Sequence, residues 1–454
     1  MITMNNRMIA IIIVAIVVVA GIGAVFLLKD NSDRPPLQST TKETMRLNVC
    51  GNADLNNYLD ERDIEHIQAT IDGKEEETLL TDANRDGVID QRDIDKVREI
   101  MEFRAERIWY LDLNGKYACV EGPIKSVAIQ YWPTLQGLIA IGAQNLIDYA
   151  DSSTLNSINS GQYGKALADS GIRSFGSGFG AAYDFETMLS IGVDTIICGS
   201  ANIYFIGIED RYTETTKINM IRLPLWEGNN VASAYLTLAY LLGSKSYVDA
   251  AYEYMAYVND VVNLINDRLP SASERKSILV TYYSAGASAL DVMVECRGSG
   301  CYECSVIAGL NNLASGINSG SLLSSGEIYY DTDIEYLLSK DPDYILMLHN
   351  SGLFKTRTDQ KDAYDWWTAH LTTTNAYKQG NIMVSAAGLT SGLFQTTLAL
   401  MIACQIYEDE FSDIDSYAKL QELVDRFTLL NKGISPSSDD YFDVKVNGAY
   451  LYIG

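Results

Sequence analysis

The stretch EYLLSKDPDYILML, Glu335 to Leu348, carries the pattern on which the fold turns. A glutamate opens an apolar helical turn, Pro342 and Asp343 close it, and an unbroken apolar strand follows. Proline restricts the residue before it and ends the helix, so the segment reads as helix, turn, strand. A second copy, ETMLSIGVDTIICG, runs from Glu186 to Gly199. It keeps Asp194 where the other has Asp343, with Met188 for the first leucine and Val193 for the proline. A helix dipole alone accounts for one N-terminal glutamate. Two copies in equivalent places predict two lobes of like build.

Between the copies lies YVDAAYEYMAYVNDVVNLINDRL, Tyr247 to Leu269, an amphipathic pattern with no breaker. Before it, KSVAIQYW, DTIICG and MIRLPL read as strands with helical segments between them; after it, KSILVTYYS restarts the same alternation. The expected class is α/β: two Rossmann-like lobes with largely parallel sheets, joined by a single long helix. The expected boundaries are 107–245 for the first lobe, 246–270 for the interlobe helix and 271–454 for the second lobe.

Upstream the style differs. Residues 8–28, MIAIIIVAIVVVAGIGAVFLL, are 21 residues without a charge. That length spans a bilayer as a helix, and it exceeds the usual apolar core of a signal peptide. Residues 1–29 therefore read as an uncleaved transmembrane anchor. Arg7 favours the N-terminus inside, which places the bulk of the chain outside the cell. Residues 30–47, polar with a Pro pair, read as a flexible linker.

Residues 48–106 contain an internal repeat. NADLNNYLDERDI, from Asn52, overlays DANRDGVIDQRDI, from Asp82, at an offset of 30. Each copy places oxygen-bearing groups at loop positions 1, 3, 5, 7, 9 and 12, the layout that wraps Ca2+. In the second loop these are Asp82, Asn84, Asp86, the Val88 carbonyl, Asp90 and Asp93, with Gly87 at the left-handed sixth position. In the first they are Asn52, Asp54, Asn56, the Tyr58 carbonyl, Asp60 and Asp63, with Asn57 in the place of glycine. Each loop runs into an apolar-periodic helix, so this is a small all-α, EF-hand-like unit. It resembles dockerin domains, whose paired loop–helix repeats also end in Asp. The resemblance implies bound Ca2+ and a possible cohesin-like partner. Calcium then reads as a folding support, or as half of a protein contact, separate from the work of the lobes.

Composition removes some functions. Formal net charge is −25, with 34 basic against 59 acidic residues. Such a surface repels nucleic acid. Three His in 454 residues leave no set of imidazoles for a bare divalent metal. No nucleophile elbow, zinc-protease helix or phosphate loop is present.

The lobes resemble the substrate-binding proteins of ABC importers that carry ferric siderophores, haem or cobalamin. The likeness rests on the duplicated motif and on LPLWEG ahead of LAYLLG, AGLNNLAS and KQGNIMVS, in that order. It spans about residues 107–430. It implies a metal-chelate ligand, a permease partner and no enzymatic activity. Carried over by motif, Glu186 and Glu335 would dock onto permease arginines. An extracellular enzyme or adhesion protein, docked to a scaffold through the loop module, is the alternative.

In such folds ligands lie beyond the carboxyl ends of strands. Those positions hold Tyr131, Trp132, Phe179 and Trp226 in the first lobe, and Tyr282, Tyr283, Arg297, Tyr302 and His349 in the second. Aromatic faces with one or two cations suit a bulky anionic chelate. The cluster CRGSGCYEC, Cys296 to Cys304, reads as a local disulfide with one cysteine over, in preference to a thiolate metal site.

Overall fold

The computed structural model describes residues 46–113, 115–161, 163–176, 190, 192–198, 218–226, 231–283, 291–316, 329–349, 365, 368–430, 442–444 and 451–453. The apolar segment 8–28 and Glu186 lie outside them. Among the described residues no helix is long and apolar enough to cross a membrane.

The duplicated motif does one structural job twice. In the second lobe the Asp343 carboxylate accepts hydrogen bonds from both the N–H and the hydroxyl of Ser277, each at 2.8 Å. In the first lobe Asp194 accepts from the Lys125 N–H at 2.8 Å. Each aspartate thus fastens the start of the strand beside its own. The residue two before it is left-handed in both copies: Gly192 at φ 74 and Asp341 at φ 40. Glycine takes that conformation freely. Asp341 is held there by its carboxylate, which accepts from the Asn375 N–H and Nδ2, both at 2.7 Å. Asp343→Ala removes two charge-assisted bonds and costs about 1.5–3 kcal/mol. Denaturant unfolding measures it. Asp343→Asn, which keeps an acceptor, loses less, and an Ala variant as stable as the parent contradicts the clamp.

The loop module holds α1 (Glu61–Ile71) and α2 (Gln91–Met101). A hairpin follows, β1 (Arg107–Leu111) antiparallel to β2 (Tyr117–Glu121). The first lobe then runs β3 (Val127–Gln130), α3 (Trp132–Ala140), β4 (Ile147–Ala150), α4 (Ser152–Asn159), α5 (Lys165–Ala168), β5 (Arg173–Ser174), β6 (Thr195–Cys198), β7 (Asn219–Arg222) and α6 (Val231–Leu241). Its sheet has the order β5-β4-β3-β6-β7, with every pairing parallel. The interlobe helix α7 spans Lys245–Asn266.

The second lobe comprises β8 (Ser277–Tyr283), β9 (Asp291–Glu295), α8 (Gly300–Ile307), β10 (Asn311–Asn312), β11 (Tyr329–Asp333), α9 (Ile334–Lys340), β12 (Tyr344–His349), α10 (Asn375–Lys378), β13 (Ile382–Ala386), α11 (Gln395–Ile406) and α12 (Ser416–Phe427). A short hairpin, β14 (Phe442–Val444) with β15 (Leu451–Ile453), follows. Its sheet has the order β11-β9-β8-β12-β13, with β10 added on β8. This sheet is mixed, because β9 runs antiparallel to both β8 and β11. The expectation of largely parallel sheets therefore holds fully only in the first lobe.

Side chains alternate across both sheets, and both faces are covered. Val127, Ile129, Ile197 and Ile221 face one core, while Ala128, Ile196 and Met220 face another. In the second lobe Ile278, Val280, Leu346 and Leu348 join that same first core. So one continuous core runs from the first sheet, past α7, to the second. Two buried tyrosines of α7 act as struts within it. Tyr254 Oη donates to the Leu393 carbonyl at 2.9 Å, and Tyr257 Oη lies 2.8 Å from both Thr397 Oγ1 and the Lys419 carbonyl.

The loop module belongs to that core too. Leu47, Val49, Leu59, Ile64, Ile67, Ile94, Val97 and Ile100 are buried in it. Val49 bridges to Tyr110 of β1, and Tyr110 Oη donates to the Met220 carbonyl of β7 at 3.1 Å. The module is therefore packed onto the first lobe.

Candidate functional site

The carboxyl end of β3 delivers Tyr131 in a left-handed conformation, φ 73. Such a backbone is strained for a residue with a β-carbon, and strain of this kind collects at binding sites. Asp151 holds it in place. One carboxylate oxygen accepts from the Tyr131 N–H at 2.7 Å, and the other accepts from the Ser153 and Thr154 N–H groups at the start of α4. Asp151 is itself 1% exposed. The sequence reading missed it, although ADSST is a plain helix-cap signature.

Tyr131 stands edge-on to two tryptophans. Its ring centroid is 5.5 Å from Trp132 and 5.6 Å from Trp226, at 64° and 80°. Three of the first-lobe candidates thus form one aromatic cluster at the ends of β3 and β7. The Trp226 ring is mostly buried, and its indole N–H meets no hydrogen-bond acceptor among the described residues. Phe179 lies outside the described residues.

The second lobe comes directly against this wall. The Gly392 N–H donates to the Trp226 carbonyl at 3.2 Å. Gly300, the first residue of α8, is packed so closely that a β-carbon there would sit 2.7 Å from the same carbonyl oxygen. The Gln395 side chain donates to the Gly300 carbonyl at 2.7 Å and ties α11 to the contact. None of this interlobe seam was visible in the sequence, since its contacts are main chain and glycine.

On the second lobe, Tyr283 and His349 end β8 and β12 and are register partners, and His349 also pairs with Ala386. Tyr282 precedes Tyr283 in the same strand. Their strand ends are thereby brought together. Arg297 is exposed in the turn between β9 and α8. Tyr302 is placed differently from the expectation. It is 5% exposed, in the second lobe's own core with Leu279, Val292 and Ile345. On α8 its ring turns under the sheet, where it packs instead of facing a ligand.

The cysteine cluster forms no disulfide: Cys296, Cys301 and Cys304 are all free and buried. Each is engaged separately. Cys301 Sγ accepts from Thr390 Oγ1 at 2.9 Å, Cys304 donates to the Gln395 carbonyl, and Cys296 donates to the Val294 carbonyl. Burial pushes the Cys296 thiol up to about 11 and raises the other two further. Neutral thiols make neither nucleophiles nor ready metal ligands. Cys301 and Cys304 pack beside the seam, and Cys296 fills the interior at the end of β9.

In the second calcium-type loop, the Asp82 carboxylate accepts from the Gly87 N–H at 2.9 Å. Asp93 accepts from the Ala83, Asn84 and Asp90 N–H groups. Asp60 and Asp90 cap α1 and α2, each with a reciprocal capping box to Asp63 or Asp93. Gly87 takes φ 84, as expected. Asn57 does not take that conformation in the first loop; there Leu55, at φ 60, carries the left-handed turn, as Arg85 does at φ 58 in the second loop. The Asn52 amide explains the difference, since it donates to the Asn56 carbonyl at 2.8 Å and closes the first loop on itself.

Arg92 lies on Asp86 and Asp90, at 2.5 and 2.8 Å. Among the described residues no group of three His, Cys, Asp or Glu side chains is placed to hold a metal by itself. A loop cation would draw also on Asn84 and on main-chain oxygen. Two observations fit such a group. The Oδ1 atoms of Asn52 and Asp82, both at the first loop position, are buried and accept no hydrogen bond from the described residues. Burial also raises the carboxyls of Asp63, to about 7, and of Asp93, which a cation alongside would offset.

No protein-family profile matches the chain, and no curated protein matches it by sequence. Solved structures do match. The chain is similar to the TroA-like periplasmic binding protein FepB of Veillonella parvula, with TM-score 0.53 and 16% identity over 71% of this chain and 96% of that one. It is similar to CeuE of Helicobacter pylori, solved with Ni(II) bound, with TM-score 0.52 and 13% identity over 71% and 96%. It is also similar to the molybdate-binding MolA of Haemophilus influenzae, with TM-score 0.51 and 12% identity over 70% and 97%. Identities this low speak for the fold alone. Two α/β sheets on either side of one long helix give this chain the fold of the TroA-like periplasmic binding proteins.

Proposed function

We propose that the chain is the substrate-binding protein of an ABC importer and that it captures a metal chelate, a ferric siderophore in the first instance, between its lobes. Residues 8–28 anchor it in the cell membrane with the bulk of the chain outside. The observation that carries this reading is the Tyr131–Trp132–Trp226 cluster at the carboxyl ends of parallel strands. A chelate is bulky, partly flat and anionic, and such a cluster offers it aromatic faces. Arg297 and the ends of β8 and β12 supply the facing wall. Because one helix and a continuous core join the lobes, capture involves a small closure. Glu335, exposed on the first turn of α9, and Glu186 then engage arginines of the permease.

The paired loops take Ca2+ on the residues named above. With the cation absent their carboxylates repel one another, so its role there is structural. Glu61, Arg62, Gln91 and Arg92 remain exposed on α1 and α2, open to a cohesin-like partner.

Trp226→Ala tests the placement of the site. Truncating a buried aromatic anchor weakens ferric siderophore binding about tenfold or more. Calorimetric titration of residues 46–454 reads this out, and an unchanged affinity places the ligand elsewhere.

A further inference from the structure

The first calcium-type loop is built on the helices that carry the lobes. Tyr58, whose carbonyl is the seventh-position ligand, stacks its ring on Tyr252 of α7, with centroids 5.2 Å apart and planes at 14°. The Tyr252 hydroxyl meets the main chain of Leu59, the next loop residue. It also lies 3.2 Å from the hydroxyl of Tyr240, in α6. Tyr240 in turn stacks on Phe103, just beyond α2, at 6.2 Å. At the entry to the loop, the Asn48 N–H donates to Thr237 Oγ1 of α6 at 3.2 Å. Four loop and flanking residues, Asn48, Tyr58, Leu59 and Phe103, thus bear on α6 and α7. The second loop has a different seat: Arg85 covers the Tyr117 ring at 3.5 Å, and Tyr117 Oη donates to the Leu79 carbonyl.

We infer that cation occupancy of the first loop is coupled to the order of the interlobe helix, through Tyr58, Tyr252 and Tyr240. This rests on the calcium reading above. Nothing in ligand capture requires it. A loop whose backbone wraps a cation is held in one conformation, and Tyr58 and Leu59 transmit that to Tyr252 by stacking and by hydrogen bonding. By linkage the effect runs both ways, so a displaced α7 weakens the cation. The device would make the lobes' alignment sensitive to external calcium. It gives the module a task within the binding protein.

The test uses the full chain in detergent, with Ca2+ or with chelator, and follows hydrogen exchange across residues 245–266. Calcium binding is measured separately by calorimetry. The coupling predicts that Ca2+ slows exchange around Tyr252 about tenfold. Helix α9, whose Ile334 and Leu337 lie in a core separate from that of α7, changes far less. Tyr252→Phe keeps the stack but removes the hydroxyl, and it shrinks the effect at least severalfold. Should that variant fail to fold, Tyr58→Ala removes the stack from the half-exposed side. Absence of calcium binding overturns both the calcium reading and the coupling. Binding with unchanged exchange in 245–266 overturns the coupling alone. Equal slowing in α9, or full slowing in Tyr252→Phe, shows general stabilisation and also overturns it.

Discussion

Gly300→Ala lowers stability by about 1–3 kcal/mol, the usual cost of forcing extra volume into a packed interior. The added β-carbon would lie 2.4 Å from Ser391 Cβ and 2.7 Å from the Trp226 carbonyl oxygen. Neither neighbour is a flexible side-chain tip. One is the root of a buried side chain and the other is main chain, so the lobes themselves must part. The loss should therefore appear in thermal unfolding and also as weakened ligand binding, because Trp226 moves with its carbonyl. Gly316→Ala is the control. No described residue lies within 4 Å of a β-carbon there, and the change stays within about 0.5 kcal/mol. Equal stability of the two variants contradicts a tight interlobe seam.

The second large effect concerns delivery. Glu335 sits on the first turn of a helix that ends just before β12, so that turn lies toward the carboxyl ends of the strands. Reversing the charge at both positions, Glu186→Lys with Glu335→Lys, replaces two carboxylate–arginine contacts by two repulsions. Losing one buried partner of such a pair costs about 2–5 kcal/mol. Together they abolish uptake. A single surface charge such as the exposed Glu335 contributes little to folding, so ligand affinity and melting temperature stay at parental values. Uptake of labelled chelate by cells carrying the double variant measures it, and unchanged uptake removes the docking role.

Much of the fold was legible because it depends on local pattern. The breaker-free run at Tyr247–Leu269 became α7, the motif at Glu335–Leu348 became a helix–turn–strand unit, and the aspartates of both motifs became clamps. The reversed direction of β9 was not legible, since a short strand does not declare its direction. The site was half legible. Tyr131, Trp132 and Trp226 follow strands and could be named, whereas the seam at Gly300 and Gly392 consists of close main-chain approach. Tyrosine misled in one respect. Tyr302 was expected at the ligand, yet it is buried, as are Tyr110, Tyr254 and Tyr257. The last three of these brace main-chain carbonyls. A phenol can fill a core and still satisfy a distant acceptor, so its position in sequence does not tell strut from ligand contact. The loop module was read as a separate bead because its repeat is self-contained; Val49, Tyr58 and Phe103, which bind it to the lobe, lie outside that repeat or point away from it.

Calorimetric titration of residues 46–454 against ferric siderophores, haem and corrinoids, each beside its metal-free form, bears most directly on capture of a metal chelate. The account predicts saturable one-to-one binding of at least one ferric siderophore, with quenching of tryptophan emission and much weaker binding of the metal-free form. Heats of dilution alone across the whole panel would contradict it.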